Sequence, residues 1–485
     1  MTSTNGSPSS GVTFRFKKIG PIDEAEMELG DLTLIAGRNN TGKTYLVYTL
    51  YGFLKLWRRG WPQLESILKA TKVAESDSKL RPPVLDRIAA KALDSGQFKY
   101  AMDLATLSRE RTEVIQAVAR EFVETALDDV FSSPRKYFAE SSLTVDLSNV
   151  FSDGQETLRS TTPAGEVLEF LYDGHHIVAT SNWNEEERPG EYSISRVLDV
   201  LTSFREFTFP ELALEPFVLS AERFGISLFY KELDFTKNRL VDLLQQMGDE
   251  KDRERFSPFF FIDQATSRYA LPIKDNIDYT RSIGDLQKDR SELHEDKLFD
   301  DIKDMMDGYY RGENDDIQFR SKARKDRSFA IPLHRASSSA RGLSDLYFFL
   351  RHVARKDHLL IIDEPESHLD TANQIQLARL LARCVRAGLK VLITTHSDYL
   401  IKEFNNLIML SRSFADKGAV VKNLRYREDD FLVPESVRAY IAEEQTLRQC
   451  EVDDYGIDMP VFDETIDSIN NVANELSSRL AEDVE

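Results

Sequence analysis

The stretch that most constrains the fold of this chain is Gly37-Arg38-Asn39-Asn40-Thr41-Gly42-Lys43-Thr44. It follows the pattern Gly-x4-Gly-Lys-Ser/Thr of a phosphate-binding loop. The apolar residues 31–36 before it predict a buried strand, and residues 45–51 after it predict a helix, which is the context that the pattern needs. The glycines let backbone N–H groups approach phosphates, and the helix N-terminus adds partial positive charge. The sequence therefore predicts a site where Lys43 meets the phosphates and Thr44 ligates Mg²⁺.

A second apolar strand is predicted from Leu359 to Glu364, and it ends in two carboxylates, Asp363 and Glu364. A carboxylate at this point can hold Mg²⁺ or its bound water, so Asp363 is the second candidate metal ligand. Glu364 is placed to accept a proton from an attacking water, which makes it a candidate catalytic base. The alternative is an Asp-Glu helix cap after a core strand, and the phosphate loop upstream favours the catalytic interpretation.

A third apolar strand ends in Ile393-Thr394-Thr395-His396-Ser397. A histidine after a strand is more often a turn or core residue. Its position after the phosphate loop and the Asp-Glu pair favours a contact with the γ-phosphate, so His396 is the second candidate catalytic residue. Upstream, Ser337-Ser338-Ser339-Ala340 begins a predicted helix, whose hydroxyls and N-terminus suit a phosphate.

The order of these motifs resembles ABC-type ATPase heads, and more closely the soluble OLD-like and SMC/RecF-like branch. The runs Asp363-Glu364-Pro365-Glu366-Ser367-His368-Leu369-Asp370 and Thr394-Thr395-His396-Ser397-Asp398 are similar to those of ATPases from bacterial anti-phage systems such as OLD, Septu and PARIS. The resemblance covers residues 12–57 and roughly 316–412.

The resemblance implies an enzyme that hydrolyses ATP to ADP and phosphate, with ATP and Mg²⁺ as cofactors. It implies that Ser337, Ser338 and Ser339 contact the γ-phosphate bound by a second copy of the chain. The signature loop of such ATPases usually contains glycine, and this chain has alanine at the matching place. For the family's glutamine loop the candidate equivalent is Ala221-Glu222-Arg223.

Strands that alternate with helices predict an α/β chain with a mainly parallel sheet, and the resemblance implies a P-loop ABC-type ATPase head. Lys43 and Asp363 are 320 residues apart, which predicts a large inserted module. A last head strand is expected at Leu407–Leu410. The predicted division is a flexible tail (1–11), the first part of the head (12–57), a mainly helical insertion (58–315), the second part of the head (316–412) and an acidic C-terminal segment (413–485).

The charge and cysteine content of the chain restrict the kinds of partner that it can bind. The net charge is −20, and residues 451–485 contribute eleven acidic side chains against one basic side chain. This balance disfavours a uniformly basic nucleic-acid binder, although a local basic groove is compatible with it. Two cysteines without metal-type spacing and no apolar run long enough for a membrane span predict a cytoplasmic protein without a membrane partner.

The leading hypothesis is a sensor ATPase of an anti-phage system that dimerises around ATP, or forms a larger homo-oligomer, and controls an effector protein of nuclease type. Nucleic acid and phage protein are the candidate triggers. The acidic C-terminal segment, with apolar anchors at Phe431-Leu432-Val433 and Val461-Phe462, is the expected docking surface for the effector. One alternative is an SMC/RecF-like DNA-repair ATPase. The other is a self-contained nuclease or toxin that uses the acidic cluster Asp453, Asp454, Asp458, Asp463 and Glu464.

Overall fold

The computed structural model describes residues 12–59, 99–147, 156–161, 167–172, 176–181, 209–229, 269–313, 316–322, 330–459 and 469–479. The predicted tail 1–11, the anchor Val461-Phe462 and the pair Asp463 and Glu464 lie outside these residues. Within them, no helix combines the length and the apolar character that a bilayer span requires.

The described strands, in chain order, are β1 (Val12–Ile19), β2 (Ile22–Glu28), β3 (Leu32–Ala36), β4 (Lys99–Asp103), β5 (Ser142–Leu147), β6 (Glu156–Thr161), β7 (Val167–Tyr172), β8 (His176–Ser181), β9 (Glu215–Leu219), β10 (Gly308–Glu313), β11 (Asp316–Ser321), β12 (Ile331–Pro332), β13 (His358–Asp363), β14 (Lys390–Thr395), β15 (Val437–Glu443), β16 (Thr446–Gln449), β17 (Val452–Asp453) and β18 (Gly456–Ile457). The described helices are α1 (Lys43–Arg59), α2 (Leu104–Thr125), α3 (Leu127–Phe131), α4 (Leu271–Leu286), α5 (Leu298–Met305), α6 (Ser338–Phe348), α7 (Thr371–Arg386), α8 (Asp398–Met409) and α9 (Lys417–Asn423). Residues 223–229 and 469–479 are also helical.

The main sheet has nine strands in the order β5-β1-β2-β16-β15-β3-β14-β13-β9. The run from β15 to β9 is parallel, whereas β5, β1 and β2 pair antiparallel. The central strands β3, β13 and β14 are apolar and buried almost throughout, as strands covered on both faces must be. The predicted α/β class with a mainly parallel core is therefore confirmed.

Helices cover both faces of this sheet, and alternate residues of one strand serve opposite faces. On β3, Ile35 belongs to the apolar cluster that contains Leu46 and Phe53 of α1. Its neighbour Leu34 belongs to the cluster on the other face, which contains Leu343 of α6. This alternation is the period of two that any strand imposes on its side chains.

The register of the parallel strands aligns their carboxyl ends. Ala36 of β3 pairs with Thr395 of β14, and Asp363 of β13 pairs with Thr394. Next to β13, Leu219 at the end of β9 pairs with Ile362. The loops that follow these strands therefore meet at one edge of the sheet, the position at which open parallel sheets bind ligands.

The strand expected at Leu407–Leu410 is wrong, because these residues lie at the end of helix α8 and just beyond it. The Ser397 hydroxyl caps this helix by accepting a hydrogen bond from the Leu400 N–H. Leu400, Phe404 and Leu407 then follow helical spacing and are buried. A short apolar run does not by itself distinguish a strand from a buried helix turn, and the cap upstream decides the outcome here.

The range predicted as a mainly helical insertion contains both strands and helices among its described residues. Strands β5 and β9 from this range lie in the main sheet, and β4, β8, β7 and β6 form a separate antiparallel sheet. Helices α2 and α4 also lie in this range.

The C-terminal segment also differs from expectation. Strand β15 lies beside β3 near the middle of the main sheet, and Leu432, one of the predicted docking anchors, is buried. Leu432 is therefore a core residue and not an exposed anchor. The described helix 469–479, in contrast, exposes Ile469, Val472 and Leu476. The acidic composition of the segment did not distinguish its buried strand β15 from its exposed helix 469–479.

Candidate nucleotide site

The phosphate loop joins β3 to α1 and turns through backbone conformations that favour glycine. Gly37 has φ 144°, Asn40 has φ 64° and Gly42 has φ 95°. A Cβ on Gly37 would lie 2.5 Å from the carbonyl oxygen of Ala442 in β15, and one on Gly42 would lie 2.7 Å from the side chain of Ile22. Both glycines are thus required by neighbouring chain as well as by the turn.

Within this loop, Lys43 is the buried cation, with 6% of its surface exposed. Its Nζ donates hydrogen bonds to the carbonyl oxygens of Gly37, at 3.1 Å, and Arg38, at 2.8 Å. The Thr41 hydroxyl donates to the same Arg38 oxygen, at 2.9 Å. Burial lowers the pKa of Lys43, while the carboxylates of Glu364 and Asp363 act in the opposite direction. The loop is therefore wrapped around the Lys43 side chain, with its ammonium on the carbonyl oxygens of Gly37 and Arg38.

Thr44 and Asp363 meet across the gap between α1 and β13. The Thr44 hydroxyl donates to Asp363 Oδ2 at 3.0 Å, and the Thr394 hydroxyl donates to Oδ1 of the same carboxylate. Burial raises the pKa of Asp363, and these two hydrogen bonds oppose that effect. A hydroxyl and a carboxylate are hard oxygen donors, so this pair fits Mg²⁺ completed by phosphate oxygens and water.

Glu364 is the next residue, and its backbone is left-handed, with φ 49°. Its Oε2 accepts a hydrogen bond from the Ser367 hydroxyl at 3.0 Å, and its Oε1 lies 3.5 Å from His396 Nε2. The hydrogen bond from His396 is the main reason that the pKa of Glu364 falls to about 2. The carboxylate is therefore ionised at neutral pH and able to accept a proton. The structure brings this predicted pair together.

Sequence reasoning missed Glu366, which fixes the position of His396. Its Oε1 accepts hydrogen bonds from the His396 backbone N–H, at 2.6 Å, and from the Thr395 hydroxyl, at 2.8 Å. Burial raises the pKa of Glu366. A third carboxylate so close to Asp363 and Glu364 was the signal that could have identified it.

The three serines lie at the start of α6, and one of them, Ser339, contacts the loop that follows β13. The Ser337 hydroxyl caps α6 by accepting from the Ala340 N–H at 3.2 Å. Ser338 is the first residue of the helix, and the Ser339 hydroxyl donates to the carbonyl oxygen of His368 at 2.7 Å. Neither of these two hydrogen bonds goes to the phosphate loop of the same chain. The hydrogen bonds of Ser337 and Ser339 therefore do not connect these serines to Lys43 or Thr44.

The candidate glutamine-loop equivalent follows β9 at the same edge of the sheet. Glu222 Oε2 accepts a hydrogen bond from the Tyr48 hydroxyl of α1 at 3.3 Å. Arg223 is buried and contacts the backbone of β13. The topology therefore places this loop beside both carboxylates, although no spacing rule connected them.

The aligned strand ends, the phosphate loop and the contact between Thr44 and Asp363 are typical of a P-loop ATPase fold. Residues 238–401 match the family model described as the AAA ATPase domain. This match covers about a third of the chain, and it includes Asp363, Glu364 and His396 but not the phosphate loop. An AAA ATPase domain indicates ATP binding and hydrolysis.

Among curated proteins, this chain is 37% identical over 79 residues to the ABC multidrug transporter SNQ2 of Candida glabrata. The matched segment covers 15% of this chain and only 5% of the transporter.

Among solved structures, the chain is similar to the SMC head bound to the C-terminal winged-helix domain of ScpA, with 13% identity, coverage of 91% of this chain and 96% of that chain, and a TM-score of 0.33. The SMC head domain from Thermotoga maritima gives 11% identity, coverage of 92% and 99%, and a TM-score of 0.29. We base no conclusion on overlays with TM-scores this low.

Proposed function

We propose that this chain hydrolyses ATP, closes against a second copy while ATP is bound, and thereby controls a separate effector protein in the cytoplasm. The observation that carries the proposal is the junction at Asp363. Its carboxylate joins Thr44 of the phosphate loop to Thr394, and the Glu364–His396 pair lies directly beside it. Three segments that are separated in sequence therefore supply one set of groups with complementary chemistry.

In this proposal the loop from Gly37 to Thr44, with Arg38, Asn39, Asn40 and Thr41 between the glycines, cradles the phosphates, and Lys43 meets the β- and γ-phosphates. Thr44 and Asp363 hold Mg²⁺, which when bound neutralises phosphate charge. Glu364 accepts the proton of the attacking water, and His396 orients Glu364 and contacts the γ-phosphate.

Dimerisation is proposed from the position of the α6 N-terminus. This helix is eleven residues long, and Ser337, Ser338 and Ser339 stand at the end where its partial positive charge lies. The hydrogen bonds of Ser337 and Ser339 stay near their own helix and His368, which leaves the helix end to meet a second copy's nucleotide. Contacts that exist only with the γ-phosphate present would make closure depend on ATP and opening depend on hydrolysis.

The effector role is proposed from the motif resemblance and from the exposed helix 469–479. Ile469, Val472 and Leu476 recur at helical spacing and are exposed by 65%, 58% and 55%. An apolar stripe of this kind, next to acidic sequence, suits a protein partner with a basic rim. We propose a nuclease-type effector of an anti-phage system docked through this helix, with nucleic acid or a phage protein as the trigger.

A DNA-repair ATPase of the SMC/RecF-like class is the second candidate, because it would use the same head and the same closure. A self-contained nuclease has less support. Asp454 forms an ion pair with Arg412 at 2.5 Å, and the described residues hold no group of three or more His, Cys, Asp or Glu side chains suited to a metal ion.

Sedimentation with ATP and Mg²⁺ tests closure. Glu364→Gln keeps the shape of the side chain but removes the base, so ATP should persist and dimers or larger assemblies should accumulate. Glu443→Gln is the control, because Glu443 pairs with Arg448 in the strand pair β15–β16. Glu364→Gln that remains a strict monomer at micromolar concentration with ATP bound contradicts the proposal. Stimulation of ATP turnover by DNA alone, with no effector required, would favour the repair class.

A further inference from the structure

A buried arginine connects three segments at the candidate site. Arg223, which follows β9, has 4% of its surface exposed. Its guanidinium donates to four backbone carbonyl oxygens, those of Ser220 at 2.9 Å, Asp363 at 2.8 Å, Glu364 at 2.8 Å and Gly342 at 3.3 Å. Four of its five N–H groups are therefore used on backbone.

Two of these hydrogen bonds bear on the conformation of Glu364. A left-handed φ is strained for a residue with a side chain, and it persists only where the surroundings enforce it. Arg223 donates to the carbonyl oxygens of Asp363 and Glu364, and the Thr394 hydroxyl accepts from the Glu364 N–H at 3.1 Å. The peptide groups on both sides of the Glu364 Cα are thus held, which fixes the direction of the carboxylate towards His396.

The fourth hydrogen bond reaches helix α6. Gly342, whose carbonyl oxygen accepts from Arg223 Nε, lies one turn into the helix that begins with the three serines. Asp345 on the same helix is also buried. A displacement of α6 therefore changes the surroundings of the group that holds Glu364.

We propose that Arg223 is a positioning residue that fixes the Glu364 backbone and ties it to the start of α6. The inference rests on the proposed role of Glu364 as the catalytic base. It deepens that role, because it names how contact of a second copy with the serines would bear on hydrolysis.

Lysine cannot replace arginine in this position. A guanidinium is planar and presents its donors in a fixed fork, whereas an ammonium is a single point with three donors. Arg223→Lys keeps the positive charge but cannot span carbonyl oxygens of three segments. Arg111→Lys is the matched control, because Arg111 is equally buried and pairs with Glu211 away from the site.

The test combines hydrogen exchange of the full-length protein without nucleotide with steady-state ATP hydrolysis. In Arg223→Lys, we expect the Glu364 and Ser367 amides, which are hydrogen-bonded to Thr394 and to the Glu364 carbonyl oxygen, to exchange about tenfold faster than in wild type. We expect kcat to fall about 100-fold, as for other small misplacements of a catalytic group, with KM nearly unchanged. Arg111→Lys should change neither.

Unchanged exchange at Glu364 and Ser367, or an equal loss of kcat in Arg111→Lys, overturns the inference. Arg223→Gln is the second variant in case Arg223→Lys does not fold, and a failure of both to fold shows that Arg223 serves folding rather than positioning. Absence of hydrolysis by wild type would instead refute the proposed function, and the exchange result would still decide the role of Arg223.

Discussion

Strand β15 of the C-terminal segment lies in the same sheet as β3, β9, β13 and β14, but only the edge at which those four strands end is marked by sequence motifs. At the edge, Lys43, Asp363 and His396 each lie in a recognisable motif. In the C-terminal segment, β15 pairs with the whole length of β3, from Val437↔Leu32 to Ile441↔Ala36. No sequence motif marks β15.

The difference has a physical cause. Phosphate and Mg²⁺ require particular side chains at particular distances, so a site at the edge restricts residue identity. A strand in the interior of a sheet is held mainly by backbone groups and by burial, which many apolar sequences satisfy. Motifs thus report chemistry, whereas the position of a strand within the sheet leaves little trace in composition.

Truncation of the C-terminal segment is expected to have the largest effect. A chain that ends at residue 436 loses β15, with its buried Tyr440 and Ile441, and leaves one side of β3 unpaired. Each large buried side chain contributes about 2–5 kcal/mol, and the total stability of a domain is about 5–15 kcal/mol. Circular dichroism should show no cooperative melting for this chain.

A chain that ends at residue 468 is the control, because helix 469–479 is exposed throughout. It should melt as the full-length protein does. Cooperative melting of the chain that ends at residue 436 would show that β15 is not part of the core.

The second prediction concerns the phosphate loop, where a substitution should weaken ATP binding and leave the fold intact. The variant is Lys43→Ala. A charge-assisted hydrogen bond contributes about 1.5–3 kcal/mol, so ATP affinity should fall at least about tenfold. Lys55→Ala provides the control on the same helix, since Lys55 pairs with Asp275 instead of the loop. Calorimetric titration with ATP measures the affinity of both variants and of wild type. Equal affinities for Lys43→Ala and wild type would refute the phosphate site.

The third prediction concerns pH and Asp345 on α6. Burial raises the pKa of Asp345 to about 7 from 3.8, while Arg223 acts in the opposite direction. A raised folded-state pKa stabilises the protein fully below the unfolded-state pKa, and this contribution is lost as pH rises towards 7. Asp345→Asn should abolish that loss, which is at most about 4 kcal/mol.

Urea denaturation at pH 5, 6, 7 and 8 measures this difference. The stability of wild type relative to Asp345→Asn should fall from pH 5 to pH 7 and then level off. A constant difference across that range would show that Asp345 does not titrate there.

The smallest effect is expected at a helix cap. Ser337→Ala removes the hydroxyl that accepts from the Ala340 N–H, which should cost about 1 kcal/mol. Asp370→Ala, which removes the cap of α7, is the matched comparison and should cost a similar amount. Urea denaturation of the two variants measures both, and a loss well above that of Asp370→Ala would mean that Ser337 does more than cap α6.

The sequence predicted most of the residues that meet at the carboxyl ends of the parallel strands. It did not predict the buried residue Arg223 that holds the backbone there. The Thr44–Asp363 and Glu364–His396 contacts follow from motif order, because each motif has a fixed place at a strand end. Arg223 was identified only as part of a candidate loop, since nothing in its spacing indicates that it donates to the backbone at Asp363 and Glu364, 140 residues later.

The fold was predictable where apolar runs were long and flanked by turns. β3, β13 and β14 were identified correctly, because residues buried on both faces give continuous apolar runs. Leu407–Leu410 was assigned to a strand, although the cap at Ser397 and the helical spacing were present in the sequence. β15 was missed because its polar residues, such as Arg438, which pairs with Glu28, obscure its burial.

Phosphate release from Glu364→Gln tests the central claim most directly, because Glu364 is where the fold, the motifs and the electrostatics converge. General-base catalysis contributes about 10²–10⁴-fold, so turnover should fall at least about 100-fold while ATP still binds. Glu443→Gln should release phosphate at the wild-type rate. Normal phosphate release from Glu364→Gln would contradict the assignment of Glu364 as the base.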